Sequence, residues 1–257
     1  MLFFEDEKQK KYNKLAERFH EILIDPDLKE KIGVDYLQNR KISKQSIDKF
    51  KIGYCPENIK LSGLLQHMSG RIIFPIFNEY NDVVAFSGRI PKDRQYIKKG
   101  ESVWFHESFA KPFFPYGLNI AWPHIVFRNQ VILVEGQCDV ISMHEAGYFN
   151  TVGLTGGSFT GETFVKLARF TNTFITMFDG DMAGRASANR AKEILTEYKS
   201  SGYTHHNVSL IFKEDGKNKE YDPDEFILKY GRNYMKKVID RSISLNSEND
   251  EIKDILS

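Results

Sequence analysis

Four acids stand where buried strands should end. In VILVEG (residues 131–136) four aliphatic residues run into Glu135, and Asp139 follows one helical turn later. FITMFDGD (residues 174–181) runs into Asp179 and Asp181 in the same way. In an open parallel sheet, ligands sit beyond the carboxyl ends of the strands, at the point where the strand order reverses. If the two strands are neighbours, the four carboxylates share one rim. Packed carboxylates repel and raise one another's pKa unless cations neutralise them. Oxygen-only ligands at a cleft mouth suit Mg²⁺ or Mn²⁺, which keep water and bind substrate phosphates as well. The same acids have plainer uses. Asp139 and Asp181 each precede a helical pattern and read equally well as N-caps, and Asp-Gly-Asp can be a tight turn. An EF-hand is excluded: counting from Asp179, Ala183 is fifth and Arg190 twelfth, where an acid is required. What points to metal is the joint pattern, Glu-Gly-x-x-Asp and then Asp-x-Asp on successive strand ends.

The elements that must position these acids can be read from periodicity. Over residues 8–31, Leu15, Phe19, Ile22 and Leu23 recur at helical spacing until Pro26 interrupts them. Ser43 is placed to cap a second short helix, and FKIGYCPEN reads as a strand or turn. From Gly70 the period changes to that of two strands, Arg71–Phe77 and Val83–Arg89, joined by the polar turn NEYND. Residues 90–124 have no clear period and read as loops with short elements. From Val131 strands and helices alternate: VILVEG, the helix DVISMHEAG, NTVGLTGG, the helix TGETFVKLARF, TFITMFDGD, a long helix ending near Gly202, the strand VSLIFK, and a last helix pair opening at DPDEFILKYG. Apolar strands alternating with helices predict a parallel sheet covered on both faces. The tail after residue 242 is polar.

Composition narrows the function classes. With 257 residues the chain can bury one large core or two small ones. A net charge of +1 leaves any nucleic-acid partner to a local basic surface. Two cysteines, Cys55 and Cys138, are too few for a disulfide framework or a four-cysteine zinc site, so no zinc is expected. Apolar runs of about half a dozen residues fall far short of the ~20 needed to cross a bilayer, and the charged start MLFFEDEKQKKYNK is unlike a signal peptide. These features read as an intracellular protein with no membrane partner.

Two motifs nearly match something else. GGSFTGET (residues 156–163) follows a strand and fits a phosphate-binding loop except that Glu162 replaces the lysine. It reads better as a glycine-rich turn beside the acid rim. His205 and His206 have no partners at zinc spacing and read as a surface loop, and Cys138 as packing.

EGQCD, followed some forty residues later by DGDMAG, resembles the Toprim domain, the metal-binding fold shared by DnaG-type primases, topoisomerases and certain nucleases. Upstream, GRIIFPIFNEYNDVVAFSGR is similar to the block that precedes Toprim in bacterial and phage DnaG-type primases. QYIKKGESVWFHESFAKPFFPYGL resembles, with an insertion, that family's segment ending in Tyr-Gly-Leu, and YLQNRKISKQSIDKFKIGYCPEN resembles its start. The resemblance implies an α/β fold, a Toprim-type parallel sheet flanked by helices, preceded by a mixed α+β subdomain. It divides the chain into 1–126 with a basic template or nucleotide surface, 127–213 as Toprim, and 214–257 as an acidic DPD segment with a short helical region. It implies primer synthesis on single-stranded DNA from NTPs in a bacterial or phage-infected cytoplasm, with Mg²⁺ or Mn²⁺ held by Glu135, Asp139, Asp179, Asp181, Asp222 and Asp224. Glu135, Asp179 and Asp181 would be catalytic. Arg71, Arg89, Lys111, Lys98 and Lys99 would guide strand or nucleotide phosphates, arginine at a strand end being suited to bidentate contact. Charge alone would not suggest this, since residues 71–111 hold seven Lys or Arg against five Asp or Glu. Trp104 and Phe105 could stack on bases, though aromatic side chains are more often core. Gln95 stands where the family has lysine. No zinc ribbon precedes the core in this sequence and no helicase-binding domain follows; the expectation is either that a separate template-recognition protein or a replicative helicase supplies those functions, or that the chain is a fragment of a longer primase. A Toprim nuclease is the alternative; it leaves the segment 70–118 unexplained.

Overall fold

The computed structural model describes residues 2–27, 32–91, 97, 100–214 and 216–244. The chain forms two compact units, Met1–Ala110 and Lys111–Ser257. In the first, the helix expected over residues 8–31 is α1 (Leu2–Ile24), ending before the turn at Asp25. After α2 (Ile32–Asn39) comes α3 (Lys44–Lys49), capped by Ser43, whose Oγ accepts from the Ser46 N–H at 3.2 Å. The strands β1 (Gly53–Cys55), β2 (Arg71–Phe77), β3 (Val83–Arg89) and β4 (Trp104–His106) form an antiparallel sheet in that order. β2 and β3 fall where period-2 reading put them. In the turn between them, Asn78 Oδ1 accepts from the Tyr80 and Asp82 N–H groups, each at 2.9 Å.

One face of this sheet is buried by α1. A Cβ on Gly53 would lie 2.6 Å from the Phe19 backbone, so helix and strand meet at van der Waals distance only because position 53 is glycine. Tyr12, Ala16 and Phe19 pack there with Cys55, Ile73 and Phe86. Each large apolar side chain among them, such as Phe19, Ile73 or Phe86, contributes about 1.5–3 kcal/mol.

The second unit begins with a helix the sequence did not announce. α4 (Leu118–Arg128) contains Pro123, which with the aromatic residues around it hid the helical period, and the sequence boundary at 126/127 falls inside it. Then come β5 (Val131–Val134), α5 (Gln137–Glu145), β6 (Thr151–Gly153), α6 (Gly161–Leu167), β7 (Thr173–Thr176), α7 (Met182–Glu197) and β8 (Thr204–Asn207). The sheet is parallel, in the order β6-β5-β7-β8. Val131 and Leu133 join one core with α4, α6 and α7. Alternation sends Ile132 and Val134 to the other face, where α5 packs against β6.

The edge strand corrects two readings. His205 and His206 lie in β8 rather than in a loop, and Thr176 Oγ1 meets His205 Nε2 at 2.9 Å. VSLIFK does not form the sheet strand. An edge strand needs little apolar content, and the apolar residues serve elsewhere: Val208 and Leu210 are buried beyond β8, and Phe212 lies in β9 (Ile211–Glu214). That strand pairs with β10 (Lys217–Glu220), which leads into α8 (Pro223–Tyr230) and α9 (Arg232–Ser244). Among the described residues no helix is long and apolar enough to cross a membrane.

Candidate metal and nucleotide site

The strand order makes the rim. From β5 the chain steps to β6 on one side and then returns past β5 to β7 on the other, so the order reverses at the carboxyl ends of β5 and β7. Glu135 follows β5, and Asp179 lies three residues beyond the end of β7. They touch: the Asp179 N–H donates to Glu135 Oε1 at 3.3 Å. The Asp179–Asp181 turn sits tightly on the start of α7, because a Cβ on Gly184 would lie 2.0 Å from the Asp179 carbonyl oxygen. Only glycine permits that approach.

The six acids divide into three uses. Asp181 and Asp222 cap helices: Asp181 Oδ1 accepts from the Gly184 N–H at 2.8 Å, and Asp222 Oδ1 from the Glu225 N–H at 2.6 Å, with Pro223 at the first helical position. Asp139 and Asp224 are interior braces, 7% and 2% exposed. Asp139 accepts from the Gly136 N–H at 3.0 Å and the Asp224 N–H at 3.3 Å, while Ser142 Oγ donates to Asp224 at 2.5 Å. These bonds join α5 to α8. Glu135 and Asp179 cap nothing, and Asp179 Oδ1 is buried with no hydrogen-bond partner among the described residues.

The electrostatics follow. Burial, then Glu135, Asp222, Asp181 and Glu225, push the Asp179 carboxyl up to about 7. Glu135 is also raised, by burial and by Asp181, against the lowering hydrogen bond from Asp179. Asp139 is raised well above the carboxylate range by burial and by Asp222, Asp179 and Asp224. Three acids holding protons more tightly than usual in one place is the state a cation relieves. Among the described residues no three His, Cys, Asp or Glu side chains already form a closed ligand set. The donors are hard oxygens with one of them orphaned, which fits an ion that keeps several waters and takes only one or two protein carboxylates together with substrate phosphate.

Sequence reasoning missed what holds the rim in place. Arg185, in the first turn of α7, bonds the Gly180 carbonyl and the Glu220 carboxylate, so it ties the Asp179–Asp181 turn to the strand leading to Asp222. Its sequence signal was its place four residues after Asp181 on one helix face. Glu214 accepts from Tyr221, Tyr230 and Lys229 (2.6 Å) and locks the β9–β10 hairpin to α8. Those partners are seven to sixteen residues apart, with no period to announce them.

The basic residues are differently placed. Arg71, in the first unit, is buried and donates to Val103 O at 2.9 Å, Ser102 O at 3.1 Å and Gly88 O at 3.4 Å. It also lines a polar cavity of about 410 Å³ with Gln66, His67, Glu101 and Phe105. Arg89 stacks on Tyr36, guanidinium to ring centre 4.1 Å, and donates to Ile90 O. Trp104 packs on Phe74 and His106, and Phe105 on His67. Lys98 and Lys99 lie outside the described residues. Lys111 belongs to the second unit, where Nζ donates to the Thr155 carbonyl at 2.9 Å.

Known proteins share this construction. Residues 60–110 match the family "DNA primase catalytic core, N-terminal domain", and residues 129–206 match the Toprim domain. The DNA primase of Halalkalibacterium halodurans is 33% identical over 260 residues, which cover 90% of this chain and 41% of that protein. The chain thus spans about two fifths of the length of the curated relatives it matches. The E. coli primase catalytic core shares the fold with a TM-score of 0.72 at 25% identity, covering 93% of this chain and 85% of that one. A DnaG primase catalytic domain bound to single-stranded DNA has a TM-score of 0.74 at 24% identity, covering 91% and 80%, a likeness of fold. The chain therefore carries the two domains of a DnaG-type primase catalytic core, its N-terminal domain followed by a Toprim domain.

Proposed function

We propose that the chain synthesises short RNA primers on single-stranded DNA by metal-dependent nucleotidyl transfer. The observation that carries the reading is the Glu135–Asp179 pair at the strand switch point, with Asp179 Oδ1 buried and unpartnered. In this reading a primer 3′-hydroxyl attacks the α-phosphate of an incoming NTP and pyrophosphate leaves. Glu135, Asp179 and Asp181 would hold Mg²⁺ or Mn²⁺, with Asp222 beside them. A bound ion of this kind neutralises charge on the phosphates and helps align nucleophile and leaving group. Asp139 and Asp224 act through the backbone, fixing α5 against α8 and so the directions of Glu135 and Asp222. Arg185 holds the Asp179–Asp181 turn closed.

In the first unit Arg89 presents a stacked guanidinium for strand phosphates; in the second, Lys111 offers an ammonium for strand or nucleotide phosphates. Arg71 supports the surface by organising the Ser102–Val103 backbone, and Lys98 and Lys99 belong to the same basic segment by sequence. The ssDNA-bound relative supports single-stranded DNA as template. We assign the chain to replication in a bacterial or phage-infected cytoplasm, with a replicative helicase or template-recognition protein as partner. A nuclease would use the same acids, but the match of residues 60–110 to the primase N-terminal domain favours synthesis.

The test is de novo RNA synthesis on single-stranded DNA with labelled NTPs and Mg²⁺ or Mn²⁺, beside Glu135→Gln and Asp179→Asn. Short metal-dependent RNA from the parent chain and at least about a hundredfold less from either variant is expected. Cutting of the DNA in place of synthesis would transfer the site to the nuclease reading.

A further inference from the structure

α6 is a crossover between parallel strands, so it starts at the carboxyl rim and runs back to the amino end of β7. Its outward side sets cations against aromatic rings. Lys166 Nζ lies 6.0 Å from the centre of the Phe114 ring, and the Arg169 guanidinium, just past the helix end, lies 5.8 Å from that of Phe170. Phe170 in turn meets Trp122 of α4, with ring centres 6.4 Å apart. Phe113, the neighbour of Phe114, closes the turn Lys111–Phe113, which packs along α6. Phe113 is 45% exposed and Trp122 39%, and Arg169 also faces solvent. The run from Phe113 to Trp122 therefore begins near the rim, where this turn reaches the Thr155 carbonyl, and ends beside the residues that lead into β7.

The core does not require Phe113 or Trp122. Leu118, Ala121, Ile125, Phe164 and Leu167 fill this side of the sheet without them. Rings held in water forgo the energy of burial, and a contiguous set of them marks a surface that meets a ligand. The mixture of groups selects that ligand. The core of a protein–protein interface is poor in lysine and other charges. A nucleic-acid duplex offers phosphates but hides the faces of its bases. A single strand offers both, phosphates to Lys166 and Arg169 and base faces to the rings. Glu162, the acid one helical turn before Lys166, is bonded to Thr160 at the start of α6.

We propose that the outer faces of α6 and α4, from Phe113 to Trp122, form a sequence-tolerant track for single-stranded nucleic acid leading away from the carboxyl rim. The inference rests on the primer-synthesis reading for the identity of the strand, template DNA or RNA product, which share this chemistry. Every base has a face that stacks, so the track holds a strand without reading it. A strand engaged at the rim and on the track at once is held by both, and the second contact costs little once the first is made.

The test measures binding of twenty-four-residue oligo-dT, oligo-U and a duplex of the same length to the full chain with Mg²⁺, by fluorescence anisotropy over a range of salt. The chains compared are the parent, Lys166→Ala with Arg169→Ala, Trp122→Leu, and Phe127→Ala, with thermal unfolding of each as the folding control. Phe127 is 88% exposed on another side of α4 and serves as the aromatic control. The paired alanines should weaken single-strand binding about tenfold and reduce the salt slope by about 1.4, the loss of two phosphate contacts. Trp122→Leu should weaken single-strand binding about tenfold with the slope unchanged and duplex binding within about twofold of the parent. In a Trp104→Phe chain, which leaves Trp122 as the remaining tryptophan, oligo-dT should quench the emission. A larger loss for oligo-dT assigns the track to the template, and a larger loss for oligo-U to the product; either supports it. Single-strand affinity within about twofold of the parent in both track variants would overturn the track. So would unquenched Trp122 at saturating oligo-dT, or a loss in Phe127→Ala equal to that in Trp122→Leu. The expected binding pattern without any primer synthesis by the parent would leave the track standing and sink the primase reading. Primer synthesis with binding indifferent to the track variants would do the reverse.

Discussion

The two sheets handle buried charge in opposite ways. In the antiparallel sheet Glu107 is 7% exposed, and both its oxygens are used: the Tyr12 hydroxyl donates to one and the Phe86 N–H, at 3.3 Å, to the other. Arg71 is as well provided for, with three backbone carbonyls. At the parallel-sheet rim Asp179 is crowded by four other acids and keeps an oxygen with no partner among the described residues. A fully satisfied buried charge is part of the fold, whereas an unsatisfied one among like charges destabilises the fold and makes sense only with a ligand. That contrast separates Glu107 and Arg71, which hold structure, from Asp179, the acid that the proposed function assigns to a cation.

The contrast can be broken at its strongest point first. Asp179→Asn should lower primer synthesis by about a thousandfold yet leave the apo chain as stable as the parent or more so, because a repelled charge is gone. A large loss of urea resistance would place Asp179 among the structural acids instead. Glu107→Ala should behave in the opposite sense, costing about 2–4 kcal/mol in denaturant unfolding by stranding the Tyr12 hydroxyl and the Phe86 N–H. Its surviving folded fraction should bind Mg²⁺ like the parent.

Arg185→Ala tests whether the rim is held from outside. Mg²⁺ affinity, followed by titration calorimetry, should fall about tenfold, with Arg185→Lys recovering part of it, since the Gly180–Glu220 clasp is lost while every carboxylate remains. The smallest effect is in pH. A carboxyl pushed up to about 7 keeps in the folded chain a proton that the unfolded chain releases near pH 4. Without divalent ions its contribution is therefore lost as pH rises from about 4 to about 7. His205, lowered to about 4 by burial, works the other way, favouring the fold as pH rises toward about 6.5. The difference between parent and Asp179→Asn melting curves isolates the first effect, and added Mg²⁺ should shrink it most above pH 7.

Much of the site could be read from the chain because strand ends are local. Apolar runs stopping at Glu135 and before Asp179 placed both acids on the rim of an α/β sheet, and the turn residues of NEYND placed β2 and β3. Capping was legible for the same reason: Ser43 and the Asp-Pro pair at 222–223 act within four residues of themselves. α4 was not legible, since Pro123 breaks the expected period while packing of Leu118, Ala121 and Ile125 on the sheet still makes the segment helical. The weakly apolar edge strand β8 was hidden by the stronger signal of VSLIFK beside it.

What the sequence by itself determined is therefore the set of chemical groups and the elements that end on them, because those depend on neighbours a few residues away. Which acids are free for a cation, which brace α5 against α8, and which lysine reaches the glycine-rich turn depend on partners 44 to 85 residues distant. Only the strand order and the packing of the helices bring those groups within hydrogen-bond range, and with them the burial that raises Asp179.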